Sequence, residues 1–191
     1  MVEEEEVHQA SYLGKYEEVK VKVLAHNRLL TATDDCGWSP LMIASSAGRE
    51  QVVRLMIGRG ANVNTKNNGG HSALQYAASK NHHEIVSILM NNWADVNLQD
   101  KLGATPLHRA ASKGNIRAMI PILQCNRCSI NLQDSEGNTP LHLACEEERL
   151  EAVRLLLEHG ASTQICNKAR KTALEMTSCP SIRRLAHMNE M

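Results

Sequence analysis

The sequence contains no phenylalanine, and its aromatic residues are limited to Tyr12, Tyr16, Trp38, Tyr76 and Trp93. A core without large rings must be filled by Leu, Ile, Val, Met and Ala, which suits thin layers better than one thick centre. Excess charge is also missing, since 21 basic side chains balance 21 acidic ones. A nucleic-acid or polyanion binder relies on a basic surface to release counterions, so neither class is expected. No apolar run approaches about 18 residues, which excludes a membrane-spanning helix. Met1 and Val2 lead into Glu3 to Glu6, the opposite of a secretory leader, so the chain is expected to be soluble and not exported. The six cysteines (Cys36, Cys125, Cys128, Cys145, Cys166 and Cys179) are scattered without a dense framework, and free thiols are expected.

What the chain does have is a repeat. Gly37-Trp38-Ser39-Pro40-Leu41 recurs as Gly70-His71-Ser72-Ala73-Leu74, Gly103-Ala104-Thr105-Pro106-Leu107 and Gly137-Asn138-Thr139-Pro140-Leu141. A weaker copy stands at Arg170-Lys171-Thr172-Ala173-Leu174, and the Leu-to-Leu spacings are 33, 33, 34 and 33 residues. Each of the first four copies runs into small residues (Ala44-Ser45, Ala77-Ala78, Ala110-Ala111, Ala144-Cys145) and then breaks at Gly48, Asn81, Gly114 or Glu148. Amphipathic segments follow, such as Val52 to Ile57 and Ala152 to Leu157, with Gly60 or Gly160 placed to end them.

This pattern resembles the ankyrin repeat, with its T-P-L-H-x-A-A signature and 33-residue period. The physics agrees with the letters. Ser39, Ser72, Thr105 and Thr139 can cap the following helix, and Pro40, Pro106 and Pro140 fall where a missing N–H costs nothing. His108 and His142 are expected to bond neighbouring turns. One such unit cannot fold alone: ordering it costs about 1.5 kcal/mol per residue, roughly 50 kcal/mol, which demands on the order of 2,000 Å² of apolar burial. Stacking supplies that area. The expected fold is an all-α ankyrin-repeat solenoid, a single domain over 1–191. It has about six helix-turn-helix repeats joined by β-hairpin loops, at about 3–33, 34–66, 67–99, 100–133, 134–166 and 167–191. The first and last act as caps, and Pro180 opens a short final helix.

Residues beside the hairpin glycines, and the variable positions of each first helix, should line the concave face. Asp35, Trp38, Tyr76, Ser79, Lys80, Arg109, Lys113, Glu146 and Glu147 are the candidate partner-binding residues. Charge along them runs acidic (Asp34, Asp35), then basic (Lys80, Arg109, Lys113), then acidic (Glu146 to Glu148), and such banding favours specificity and fast association. Trp38 and Tyr76 are expected to be exposed, as hot-spot aromatics would be.

Other chemistry finds little support. Cys125-x-x-Cys128 is half of a zinc or redox motif, with no second pair to complete four ligands. His82-His83 points to different sides of a helix and reads as surface. No phosphate-binding loop, dinucleotide fingerprint or nucleophile elbow occurs. No cofactor, no metal and no catalytic residue is expected, and the chain reads as not an enzyme. Leu143-x-Cys145-x-Glu147 matches L-x-C-x-E, the short motif read by retinoblastoma-type pocket proteins, but its frame puts Cys145 at a buried position.

Longer strings match beyond the generic repeat: Gly37 to Leu41 with Ala47-Gly48-Arg49, Tyr76 to Asn81 with His83-Glu84-Ile85, His108 to Asn115, and Gln133 to Cys145. They are similar to proteasome-assembly chaperones within the ankyrin-repeat family. That resemblance implies a monomeric binder of the C-terminal domain of a proteasome regulatory-particle ATPase, located in cytoplasm and nucleus. It also implies contacts with cell-cycle regulators, namely a cyclin-dependent kinase, a pocket protein and a ubiquitin ligase. By carry-over, Trp38, Tyr76, Lys80, Arg109, Lys113, Glu146 and Glu147 form the ATPase-contacting face. The chain is one repeat shorter than such chaperones, between its first repeat and Gly37. Pro121 predicts a kink or a later start in the second helix of the fourth repeat.

Overall fold

The computed structural model describes residues 2–189, with side chains through residue 186. Among them, regular structure is helical, and the division into two compact units falls between Asp95 and Val96. The first unit holds α1 (Val2–Leu13), α2 (Tyr16–Ala25), α3 (Pro40–Ser46), α4 (Glu50–Gly58), α5 (Ala73–Ser79) and α6 (His83–Asn91), with a 3₁₀ turn at Asn27–Leu30. The second holds α7 (Pro106–Lys113), α8 (Ile116–Leu123), α9 (Pro140–Glu146), α10 (Leu150–Glu158) and α11 (Pro180–Asn189), with a 3₁₀ turn at Ala173–Glu175.

In the first unit α1, α3 and α5 form an inner row, while α2, α4 and α6 form an outer row. In the second, α7 packs on α9 and α9 on the 3₁₀ turn, while α8 packs on α10 and α10 on α11. The inner helices approach closely because Ala10, Ala44, Ala77, Ala78, Ala110, Ala111 and Ala144 are buried at their contacts. The outer helices bury pairs such as Val52-Val53, Ile85-Val86, Ala118-Met119 and Ala152-Val153. The core is therefore thin and aliphatic, as the missing Phe required.

The inner helices start where the capping residues predicted. Ser39 accepts from the Met42 N–H and Ser72 from the Gln75 N–H, and the Gln75 side chain returns the bond to the Ser72 N–H at 2.8 Å. His108 and His142 take the same reciprocal position after Thr105 and Thr139. The breaks also fall where expected: Gly48, Asn81, Gly114 and Glu148 all adopt left-handed backbone, with φ of 73°, 60°, 68° and 53°.

The expected hairpins are present as short fingers. Each closes with two backbone bonds across the turn, as from the Asp34 N–H to the Trp38 carbonyl at 3.2 Å and from the Gly37 N–H to the Asp34 carbonyl at 2.9 Å. Among the described residues they do not extend into strands, and one isolated antiparallel bridge joins Cys166 and Thr172. Adjacent fingers touch through backbone: the Asn68 N–H donates to the Cys36 carbonyl at 3.0 Å, Ser135 to Leu102 at 2.8 Å, and Lys168 to Glu136 at 2.9 Å. At Gly37 a side chain would come within 2.8 Å of the Asn68 backbone nitrogen, so the close approach needs glycine there.

Pro121 does not delay its helix. The starts Glu50, His83, Ile116 and Leu150 stand 33, 33 and 34 residues apart, and α8 runs through Pro121 to Leu123. Proline deletes its own bond back toward the exposed Arg117, and the bond that closes the helix, from the Gln124 N–H to the Ile120 carbonyl, is intact at 3.0 Å. The one-residue insertion is absorbed in the turn between Leu123 and Arg127.

The first repeat carries a charged surface organised as ion pairs. Arg28 bridges Glu3 (2.6 Å) and Glu4 (3.2 Å), and Lys22 meets Glu6 at 2.5 Å. Most of these groups are well exposed, so each pair contributes little on its own.

Candidate functional site

The fingers and the variable positions of the inner helices carry the candidate residues, and a recurring side-chain bond sets their shape. Each finger begins with Asp or Asn three residues before the turn position: Asp34, Asn67, Asp100, Asp134 and Asn167. The side-chain oxygen accepts two backbone N–H groups across the turn. Asp34 takes those of Cys36 (2.9 Å) and Trp38 (2.8 Å), Asn67 those of Gly69 (3.0 Å) and His71 (2.9 Å). Asp134 takes those of Glu136 (2.9 Å) and Asn138 (2.8 Å). This turn chemistry folds the loop back on itself. Asp34, expected as part of an acidic band, is thus first a structural acceptor.

Nine residues further on, a side chain of the inner helix reaches back to the same acceptor in several repeats. In the first unit the Asn67 amide donates to the Tyr76 hydroxyl at 2.8 Å. The Tyr76 ring stacks on Trp38, with centroids 4.1 Å apart and planes 26° from parallel, and His71 tilts against its other neighbourhood at 5.4 Å. Trp38 and Tyr76 are therefore half-buried partners of one another, not exposed aromatics. Asp35 and Lys80 are exposed and Ser79 is half-buried. The Asp35 carbonyl accepts from the Asn68 side-chain amide at 2.9 Å, so this residue also holds the next finger.

In the second unit, Asp100 is fully buried and Arg109 is 32% exposed, and the two form an ion pair. Asp100 also accepts from the N–H groups of Leu102 (2.8 Å) and Ala104 (3.1 Å), while the Arg109 Nε reaches its second oxygen at 3.1 Å. Arg109 thus positions a finger. Lys113, Glu146 and Glu147 are exposed at the ends of α7 and α9, and Glu147 faces Arg149 at 3.5 Å. The proposed pocket-protein residues do not form a displayed segment: Cys145 is buried in α9, Leu143 is half-buried, and Glu147 alone is exposed. Burial pushes the Cys145 thiol up to about 12.

The two repeat histidines are ordered by their partners. The Thr105 N–H donates to the His108 Nδ1 at 3.1 Å, and the His108 Nε2 faces the Asn138 carbonyl at 2.9 Å. A donor on one nitrogen and an acceptor on the other require the neutral ring with its proton on Nε2. His142 repeats the arrangement, with the Thr139 N–H at 3.2 Å and the Lys171 carbonyl at 3.1 Å. Burial lowers both pKa values, against a weaker upward pull from the carbonyl bond.

Two further connectors escaped the sequence reading. Asn64 donates to the Trp93 carbonyl at 3.2 Å and accepts from the Asp95 N–H at 2.8 Å. Asn97 does the same with Arg127 (2.7 Å) and Ser129 (2.9 Å). At the rear, the Arg49 Nε donates to the Tyr12 carbonyl at 2.8 Å and the Arg149 Nε to the Ser112 carbonyl at 3.1 Å. His82 fills the corresponding place, 3.2 Å from the Ser46 carbonyl, so it is a half-buried contact and not simply surface. The recurrence of Asn, and of Arg or His, at fixed register was the available signal.

Cys125 and Cys128 are half-buried, and burial first, then Cys125, pushes the Cys128 thiol up to about 11. Among the described residues no group of three or more His, Cys, Asp or Glu side chains could hold a metal ion. No helix among them is long and apolar enough to cross a membrane.

Comparison with known proteins finds the same kind of repeat. A family model described as ankyrin repeats (3 copies) matches residues 7–100, 88–167 and 107–184. The Homo sapiens 26S proteasome non-ATPase regulatory subunit 10 is 44% identical over 60 residues, 31% of this chain and 26% of that protein. The Homo sapiens ankyrin repeat and SAM domain-containing protein 3 is 37% identical over 59 residues, 31% of this chain and 9% of that one. The matched stretches thus cover well under half the length of either relative.

Proposed function

The chain belongs to the ankyrin-repeat family, and from that premise we propose that it is a non-catalytic, gankyrin-like chaperone of proteasome assembly. Its partner in this reading is the C-terminal domain of a regulatory-particle ATPase, met in the cytoplasm and nucleus by a monomer. The observation that carries the reading is what folding leaves over on the inner-helix ends. Lys80 in the first unit, and Lys113 and Glu146 in the second, are exposed and stand where the repeat needs no side chain. Exposed charge of both signs on rigid helices steers and orients a protein partner. The 44% identity to the human proteasome subunit supports the choice of partner.

Co-expression with the ATPase C-terminal domain tests it. The two should co-purify, and Lys80→Glu with Lys113→Glu should abolish recovery; failure to co-purify, or indifference to the double reversal, overturns the proposal. A cell-cycle adaptor reading through Leu143, Cys145 and Glu147 is weaker, because Cys145 is inside the folded helix.

A further inference from the structure

We propose that the groove between α1 and α3 is a docking pocket for a partner segment carrying an aliphatic side chain next to Arg or Lys. The inference rests on the reading above, that this chain binds protein through its fingers and inner helices, and it adds the partner's local chemistry.

The groove follows from how α1 packs. Val7, Ala10 and Ser11 face the core, which turns His8, Gln9 and Tyr12 toward the flank beside α3. There they meet Trp38, Ile43 and Ser46 around a cavity of about 420 Å³ whose wall is almost wholly carbon. That space accommodates one or two aliphatic side chains. Tyr12 is 60% exposed, unusual for a large ring with no core role, and its ring is the outer lip. The opposite wall is rigid before any partner arrives, since Tyr76 backs the indole of Trp38 and Asn67 holds Tyr76; on α1 itself, His8 is fixed by the Ala32 carbonyl at 3.1 Å. A pre-formed apolar wall loses little entropy on binding.

Charge selects the occupant. A second cavity, of about 660 Å³, shares His8 and Gln9 with the first and is walled by Glu4, Glu5, Asp34 and Asp35. No Lys or Arg lines either cavity. Arg28 pairs with Glu4, whereas Glu5 and Asp35 have no cation among the described residues. An apolar anchor in the first cavity would place its neighbouring residue at this acidic wall, so a cation there meets carboxylates and the edge of an aromatic cluster. A phosphate-bearing ligand would be repelled. The register is specific to this end of the chain, because Tyr12 and Gln9 belong to the first repeat.

The test uses the full chain and fluorescein-labelled peptides read by anisotropy. One peptide alternates Leu with Arg, a second replaces Arg by Gln, and a third replaces Leu by Ala. Binding of the first should be saturable, with each replacement weakening it by at least about tenfold. Tyr12→Ala and the double change Glu5→Lys with Asp35→Lys should each cost roughly tenfold. Tyr12→Ala removes an exposed ring but leaves the carbonyl that Arg49 uses, and unchanged melting confirms that the variants fold. Equal affinity for the Gln or Ala peptide, or wild-type affinity in both variants, overturns the proposal. So does a concentration-dependent dimer that Tyr12→Ala dissociates, because the groove would then hold a second copy. If Leu-Arg peptide binding fails while the ATPase domain still co-purifies, the pocket falls and the proposed function stands; the converse result removes the function and keeps the pocket.

Discussion

Asp100 and Arg109 permit a double-mutant cycle whose answer is already written in the first unit. Asp100 is fully buried, accepts two backbone N–H groups, and is paired with a guanidinium that is 32% exposed. Arg109→Tyr strands that carboxylate, and breaking a buried pair from one side costs about 3–5 kcal/mol; the partial exposure of Arg109 favours about 3 kcal/mol. Asp100→Asn keeps an oxygen for the two amides and loses only the charge, at about 1–2 kcal/mol. Together the two changes recreate the Asn67–Tyr76 pair, whose amide-to-hydroxyl bond is 2.8 Å. The double variant should lie within about 1 kcal/mol of wild type, giving a coupling of roughly 3 kcal/mol. Urea unfolding followed by far-ultraviolet circular dichroism measures the energies. Hydrogen exchange at the Leu102 and Ala104 amides locates the loss in the finger. Additivity to within about 0.5 kcal/mol would refute the claim that the ninth residue and the finger acceptor act as one unit.

Three further outcomes are expected. Because burial holds His108 and His142 below the ordinary value, the unfolded chain binds protons before the native one does; the stability they lend is full above about pH 6.5 and declines as pH falls below it. His108→Gln with His142→Gln, copying Gln75, should flatten melting temperature between about pH 7 and pH 5, and an unchanged slope would exclude these rings as the cause. Ser45→Ala should stabilise by about 1 kcal/mol in denaturant unfolding, since the buried Ser45 hydroxyl has no partner among the described residues and Ala78 and Ala111 fill the same place; destabilisation would reveal a partner. At about pH 8, iodoacetamide should modify the exposed Cys36 and Cys166 well before Cys145, whose thiol is buried and pushed up to about 12, and mass spectrometry that finds Cys145 labelled as fast would contradict its burial.

The repeat register, the helix starts and the helix breaks were legible because each has one dominant local cause: a capping hydroxyl, a proline without an N–H, or a left-handed residue. Even Arg170, with φ of 59° in place of glycine, kept the register of the last copy visible. The site was read less well. Asp34 and Arg109 looked like surface charge because the letters Asp and Arg do not say whether the side chain faces solvent or a backbone amide. Position would have helped, since Asp or Asn recurs three residues before every turn. The stacking of Trp38 on Tyr76 depends on the distance between successive repeats and on rotamers, which no single repeat encodes. Pro121 misled for a different reason: the cost of an interior proline is set by which carbonyl it orphans, and here that is the carbonyl of an exposed residue.

Within each unit, repeats are joined by a few recurring fittings: a finger amide on the preceding finger, an asparagine bridging the loop beyond, and an arginine or histidine on the helix end behind. Fittings that recur at one period tolerate a change in the number of repeats. A whole period gained or lost leaves every remaining joint with a matching counterpart, whereas a single added residue must be hidden, as it is between Leu123 and Arg127. For such a chain, length is the property most easily altered without redesigning the parts, and a shorter array keeps the grammar of a longer one while offering a partner fewer places to hold.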